Sequence, residues 1–221
     1  MKRLKFSRLQ WIAHLGSLTP LAVLIVDALR DNLTANPIQE ITFRTGKTAL
    51  VLLVLSLAAT PANTVFGFHP ALKVRRTLGL YAFFYVSLHF LTFVGLDYLF
   101  DPRLIYEAIF EKRYALVGFA AALTLLPLAV TSTKGWMRRL GKSWKRLHRL
   151  VYLAAILASI HFLWLVKADI REPLVYSSII VILLFLRLPF IRHWVTKVRS
   201  SVKSKMVSVR DRLRGIVIRQ I

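Results

Sequence analysis

Residues 149–167 read RLVYLAAILASIHFLWLVK. Between Arg149 and Lys167 there is no acid, no lysine and no arginine, and the single histidine is His161. At about 1.5 Å per residue, a helix of this length approaches the roughly 30 Å of a bilayer's hydrocarbon core. Inside lipid every backbone N–H and C=O must be paired within its own segment, so the run reads as a membrane-spanning helix with one histidine deep within it.

The same reading extends in both directions. Apolar runs at about 9–29, 46–61, 77–97, 114–133 and 173–191 join 149–167 to give six spans. The composition agrees, with 56% hydrophobic residues among 221. The expected fold is therefore an all-α integral membrane protein, a six-transmembrane-helix bundle. Pro61 is expected to help end the second span, and Pro20 and Pro127 to kink the spans that contain them. The basic start followed by the run 9–29 is too long for a signal-peptide core and reads as a retained first helix. No internal repeat is visible.

Charge orients the spans. The formal net charge is +22, and the charges lie between apolar runs rather than on a soluble face. That pattern argues for topology and anionic lipid, and against nucleic acid, as its cause. With the N-terminus inside, segments 1–8, 62–76, 134–149 and the end of the chain hold 24 of the 32 Lys and Arg residues. Asp27, Asp31, Glu40, Asp97, Asp101, Glu107, Glu111, Asp169 and Glu172 fall outside, and only Asp211 inside. Both termini are thus expected in the cytoplasm. The tail 192–221 is too polar to span; its Val, Met, Leu and Ile residues recur every three or four positions among lysines and arginines. That is the pattern of a basic amphipathic helix on a membrane surface.

The residues available for chemistry are few. There are no cysteines, which excludes disulfides, iron–sulfur ligation and thiolate metal sites. No acid sits in mid-span, which counts against an ion-coupled transporter. Histidines remain. His69 and His193 read as solvated, and His14 as a helix-end residue. His89 lies 13 residues beyond Arg76, and His161 lies 13 beyond His148. Both helices run outward, so the two imidazoles sit at one level, about 20 Å from the inner edge. Two imidazoles at matched depth can clamp one metal, and a flat apolar haem fits between helices with both axial positions filled. Hydrogen bonding between helices is the plainer alternative for the pair. His148 follows the basic stretch 134–147 and could hold a second haem. Alternatively, Arg75, Arg76 and the 134–146 loop suit the phosphate of a flavin as an inner relay.

At these residues the sequence resembles the MsrQ/YedZ family, haem-binding membrane subunits of the bacterial periplasmic methionine sulfoxide reductase system, with a ferric-reductase-like transmembrane domain. The matching stretches are Asn36-Pro37, Thr45–Leu50, Thr60-Pro61, Arg75–Leu80 and Leu88-His89. The most specific run goes from Thr131–Thr133 through Leu140–Lys142, Leu147-His148 and Val151–Leu153 to His161–Trp164. The resemblance covers about 8–190 and leaves out the tail.

The resemblance implies b-type haem (heme b) on His89, His148 and His161, and FMN as a further cofactor. It implies electrons arriving from a cytoplasmic flavin reductase or from quinol. They would leave to a periplasmic molybdopterin-containing methionine sulfoxide reductase catalytic subunit, which repairs oxidised methionine. Relatives with two haems carry two histidines on the third helix; Arg75 or Arg76 stands there in this chain, which favours one haem plus a flavin. The expected organisation is a haem domain over 1–191 and a basic cytoplasmic tail over 192–221, in the bacterial inner membrane. The chain would be an electron carrier, the redox subunit of an oxidoreductase system, rather than its catalytic subunit. The alternatives are a stand-alone haem reductase of ferric ions, for which the tail is too short to supply a flavin and nucleotide domain, and a non-redox membrane protein with packing histidines.

Overall fold

The structure is a computed structural model that describes residues 7–201. Among these residues the chain is helical throughout, with no strand. The helices are α1 Arg8–Leu29, α2 Pro37–Phe66, α3 Pro70–Thr92, α4 Pro102–Glu111, α5 Arg113–Val130, α6 Lys134–Leu140, α7 Lys142–Leu147, α8 Leu150–Leu165, α9 Arg171–Phe185 and α10 Pro189–Ser201. Five spans are long and apolar enough to cross a bilayer, and six if the bent pair α9–α10 counts as one. The bundle has two distinct ends. One carries the acids from Asp27 to Glu172, and the other carries Arg75, Arg76 and the basic segment 134–149.

Local chemistry sets the boundaries. Ser7 and Gln10 form a reciprocal capping box at the start of α1. Asn36 caps α2, whose first residue is Pro37, and Asp101 caps α4, whose first residue is Pro102. Pro20 lies within α1 and removes a helix hydrogen bond nearby. There the Tyr85 hydroxyl enters the ladder, accepting from Leu21 N–H at 3.0 Å and donating to Ser17 C=O at 2.7 Å. Tyr85 is among the most buried large side chains, and its bridge re-pairs both groups.

Helix α2 departs from the expected span. It starts nine residues earlier than position 46, and Pro61 does not help to end it: the helix continues to Phe66. The reason is visible one turn before the proline. Pro61 has no N–H for the carbonyl of Leu57, and the guanidinium of Arg187 donates to that carbonyl at 2.5 Å. The helix stops instead at Gly67, whose φ of 71° is the left-handed C-terminal turn. Arg199 on α10 donates to the C=O of Asn63 and Thr64 at 3.0 and 3.2 Å, placing a cation on the carbonyl end of α2.

Helix α2 is also the centre of the bundle: half of its apolar window is buried, against 11% for α1. It packs along α3, while α5 packs along α8; α9 closes against both α8 and α2. The core joins Leu53 and Leu57 of α2 to Ala82 and Tyr85 of α3, Leu125 of α5, Ala154 and Ala155 of α8 and Ile180 of α9. Ala82 and Ala154 have no exposed surface, and small residues there let the backbones approach closely. Large apolar residues such as Ile12, Leu15, Val181 and Ile182 stay exposed, as the surface of a bundle facing acyl chains requires.

Three short helices lie where the sequence reading had only loops. The amphipathic α4 tucks Ala108 and Ile109 inward, and α6 and α7 divide the basic segment at Gly141, φ 50°. The last span is shorter than expected: α9 ends at Phe185, and α10 turns away at 76°. The expected surface helix of the tail falls within the described residues only as far as Ser201.

Candidate cofactor site

The third and eighth helices bring His89 and His161 close to one another. Their ring centres are 6.2 Å apart with planes at 81°. Each imidazole is anchored from behind. His89 Nδ1 lies 2.8 Å from the Thr42 carbonyl, and His161 Nδ1 lies 2.7 Å from the Tyr114 carbonyl. A carbonyl only accepts, so each Nδ1 carries the hydrogen and each Nε2 is left with its lone pair. Backbone anchoring of this kind fixes both the tautomer and the ring orientation of a ligating histidine.

Two glycines make room for the rings. A Cβ at Gly46 would stand 2.9 Å from His89 Nδ1, and one at Gly118 would stand 2.6 Å from His161 Nδ1. The two halves of the site are built alike. Both Nδ1 bonds span 47 residues of chain, and Thr42, Gly46 and His89 each have a counterpart 72 positions later in Tyr114, Gly118 and His161. The α2–α3 pair and the α5–α8 pair thus repeat one histidine cradle. The buried pair Ala82 and Ala154 and the residues Ser87 and Ser159 keep the same spacing.

Both histidines line a cavity of about 650 Å³ between α2, α3, α5 and α8. That is within the range of cofactor pockets, roughly 300–1,000 Å³. Its walls include Phe43, Phe90, Phe119 and Phe162, and its depth is closed by Leu53, Val86, Leu125 and Ala158. At the acid-bearing end the mouth turns polar, with Gln39, Lys47, Asp97, Tyr98, Lys112 and Lys167. The α3 helix widens beside this mouth into a π-helical turn at Phe93–Asp97, a geometry frequent at functional sites. Lys47 is already paired with Glu172 at 2.5 Å.

The arrangement fits a metal held between two nitrogens. With a metal–imidazole bond of about 2 Å and a ring centre about 1 Å behind its nitrogen, two such ligands on opposite sides of one metal have centres about 6 Å apart. The slot between them is apolar, as a macrocycle needs, and no third histidine or acid joins the pair: among the described residues no cluster of three His, Cys, Asp or Glu could hold a metal.

The other candidates lie apart from this cavity. The ring of His148 stacks on Trp144 at 3.9 Å, and its Nε2 is 3.2 Å from the Thr131 hydroxyl. Arg75 donates to the Thr60 hydroxyl at 3.1 Å, and both Arg75 and Arg76 are within electrostatic reach of His148. These three gather at the basic end. His14 meets the Tyr81 hydroxyl at 3.0 Å, and His69 and His193 are exposed. Sequence reasoning missed Thr42, Tyr114, Gly46 and Gly118, because a carbonyl or glycine that meets a ring on another helix leaves no mark of its own in a single chain. It also missed Arg187, which donates to the Tyr152 hydroxyl at 2.9 Å besides pairing Leu57.

Comparison with known proteins agrees with the geometry. The ferric reductase like transmembrane component family matches residues 45–159, which include most of the cradle but stop two residues short of His161. A protein-methionine-sulfoxide reductase heme-binding subunit MsrQ from Xanthomonas axonopodis pv. citri is 46% identical over 179 residues, 78% of this chain and 82% of the relative. Its counterpart from Rhodospirillum rubrum is 50% identical over 164 residues, 73% of this chain and 79% of the relative. The chain belongs to the ferric-reductase-like transmembrane family, in the branch of the MsrQ heme-binding subunits of protein-methionine-sulfoxide reductases.

Proposed function

We propose that this chain carries electrons through the membrane on b-type haem held by His89 and His161, for a methionine sulfoxide reductase. One observation carries the reading: two imidazoles, each anchored through Nδ1, stand 6.2 Å apart across an apolar slot. Relatives sharing 46–50% of their residues are named for binding heme, which supports the same guest. Bound haem supplies a one-electron Fe(III)/Fe(II) couple. His89 and His161 would hold the haem from opposite sides, and a metal held by two imidazoles would have no place for substrate, which suits transfer rather than catalysis. The carbonyls of Thr42 and Tyr114 hold the tautomers, and Phe43, Phe90 and Phe162 keep water from the slot.

The basic end is the cytoplasmic end in this reading, because Lys and Arg gather on that side of membranes. Both termini then lie on the cytoplasmic side of the bacterial inner membrane. Residues 1–191 are the haem domain and 192–221 a basic tail on the lipid surface. His148, Arg75 and Arg76 form the inner relay, with FMN as the cofactor whose phosphate the arginines suit. A cytoplasmic flavin reductase or quinol supplies the electrons, and a periplasmic molybdopterin enzyme receives them at the acidic end.

Haem and flavin quantitation on the purified protein tests this reading. The expected result is haem in the native protein, and its loss or a displaced Soret band in His161→Ala. A full haem complement with an unchanged Soret band in that variant would remove the ligand assignment.

A further inference from the structure

The cavity has two unlike ends, and that difference bears on how its guest lies. Haem carries two carboxylates on one edge. Toward the basic end the cavity is closed by Leu53, Val86, Leu125 and Ala158. Ionised carboxylates placed among these side chains would lose their water and gain no partner, which is costly. Toward the acid-bearing end the mouth is lined by Lys112 and Lys167, both exposed, and neither has a carboxylate within ion-pair distance among the described residues. The third lysine of the rim, Lys47, is engaged by Glu172. Asp97 is the one acid of the lining.

We propose that Lys112 and Lys167 receive the two carboxylates of the macrocycle held by His89 and His161, so that its polar edge faces the acid-bearing end of the bundle. The proposal rests on haem being the guest of this cavity and adds what sets its orientation. Lys112 is positioned for the task. Its ammonium donates to the Tyr98 hydroxyl at 3.0 Å, and Tyr98 packs on Phe93 with ring centres 4.8 Å apart. The Tyr98 bond, opposed by partial burial, holds the lysine above its ordinary value, so it stays charged throughout the working range. Lys167 stands two residues past the end of α8 and six after His161, so only a short stretch of chain separates it from the ligating ring. Both are positioning residues, which act on the iron only through the macrocycle's edge.

The test uses the full-length protein, stripped and then refilled with protohaem IX or with its dimethyl ester, which has the same ring and no free carboxylates. Rates of haem transfer to apomyoglobin and the midpoint potential are the readouts. The native protein is expected to hold the acid more tightly than the ester. Lys112→Gln and Lys167→Gln should each narrow that preference by about two- to fivefold, the size of an exposed ion pair, and lower the potential because a positive charge near the iron is lost. Arg103→Gln, on the same end but outside the cavity lining, should do neither. Unchanged acid-over-ester preference and potential in both lysine variants would overturn the proposal and leave the histidine assignment intact. Failure of the native protein to take up either macrocycle would instead overturn the haem reading, and this proposal with it.

Discussion

A single methyl group probes the histidine pair. At Gly118 a Cβ would stand 2.6 Å from His161 Nδ1, well inside the contact distance of about 3.5–4.0 Å, and at Gly46 it would stand 2.9 Å from His89 Nδ1. The ring must then move off the carbonyl that fixes it. Gly118→Ala is expected to lower the haem-to-protein ratio more than Gly46→Ala, with an overpacking penalty of about 1–3 kcal/mol. Soret absorbance per mole of protein measures both, and full haem content in the two variants would show that the rings are not held this way. The histidines were legible in the sequence, because depth along a helix can be counted from the inner edge of its span. The glycines were not. Glycine is frequent in membrane helices, and nothing in a single chain says which one faces a ring on another helix.

Among the elements, α2 is the most instructive. Its proline promised an end, and a chain-local reading has no means of seeing a guanidinium that arrives from 130 residues away. Removing that guanidinium leaves the Leu57 carbonyl buried and unpaired. Arg187→Met is therefore expected to cost about 1–3 kcal/mol. In a Pro61→Ala background, where an N–H is restored to the same carbonyl, the loss should be smaller. Thermal denaturation in detergent of the four proteins of this cycle gives the coupling, and equal losses in both backgrounds would refute the pairing. A related loss is expected for Tyr85→Phe, which removes the bridge between Leu21 and Ser17 beside Pro20. The short helices α4, α6 and α7 escaped the sequence reading for another reason: segments of 6–10 residues are too short for apolar periodicity to stand out.

At the scale of the whole molecule, the spans and the segregation of charge were readable because lipid imposes one rule on every crossing segment. The 72-residue repetition of the histidine cradle was not, since few identities survive between its halves and it appears only once the carbonyl, glycine and imidazole are seen together. The proposed orientation, argued from the basic loops, belongs to the whole molecule, and the absence of cysteine makes it directly measurable. In intact spheroplasts, a cysteine at Glu107 should react with an impermeant maleimide, and one at Lys142 should react only after lysis. The reverse pattern would invert the proposed direction of electron flow.

The histidine pair itself is tested most directly by the low-temperature electron paramagnetic resonance spectrum of the oxidised, purified protein, compared with His89→Ala and His161→Ala. The account predicts a low-spin ferric signal with two imidazole ligands in the native protein. It predicts loss of that signal, or its replacement by a high-spin one, in each variant. A low-spin signal that survives unchanged in both variants would place the iron elsewhere and contradict it.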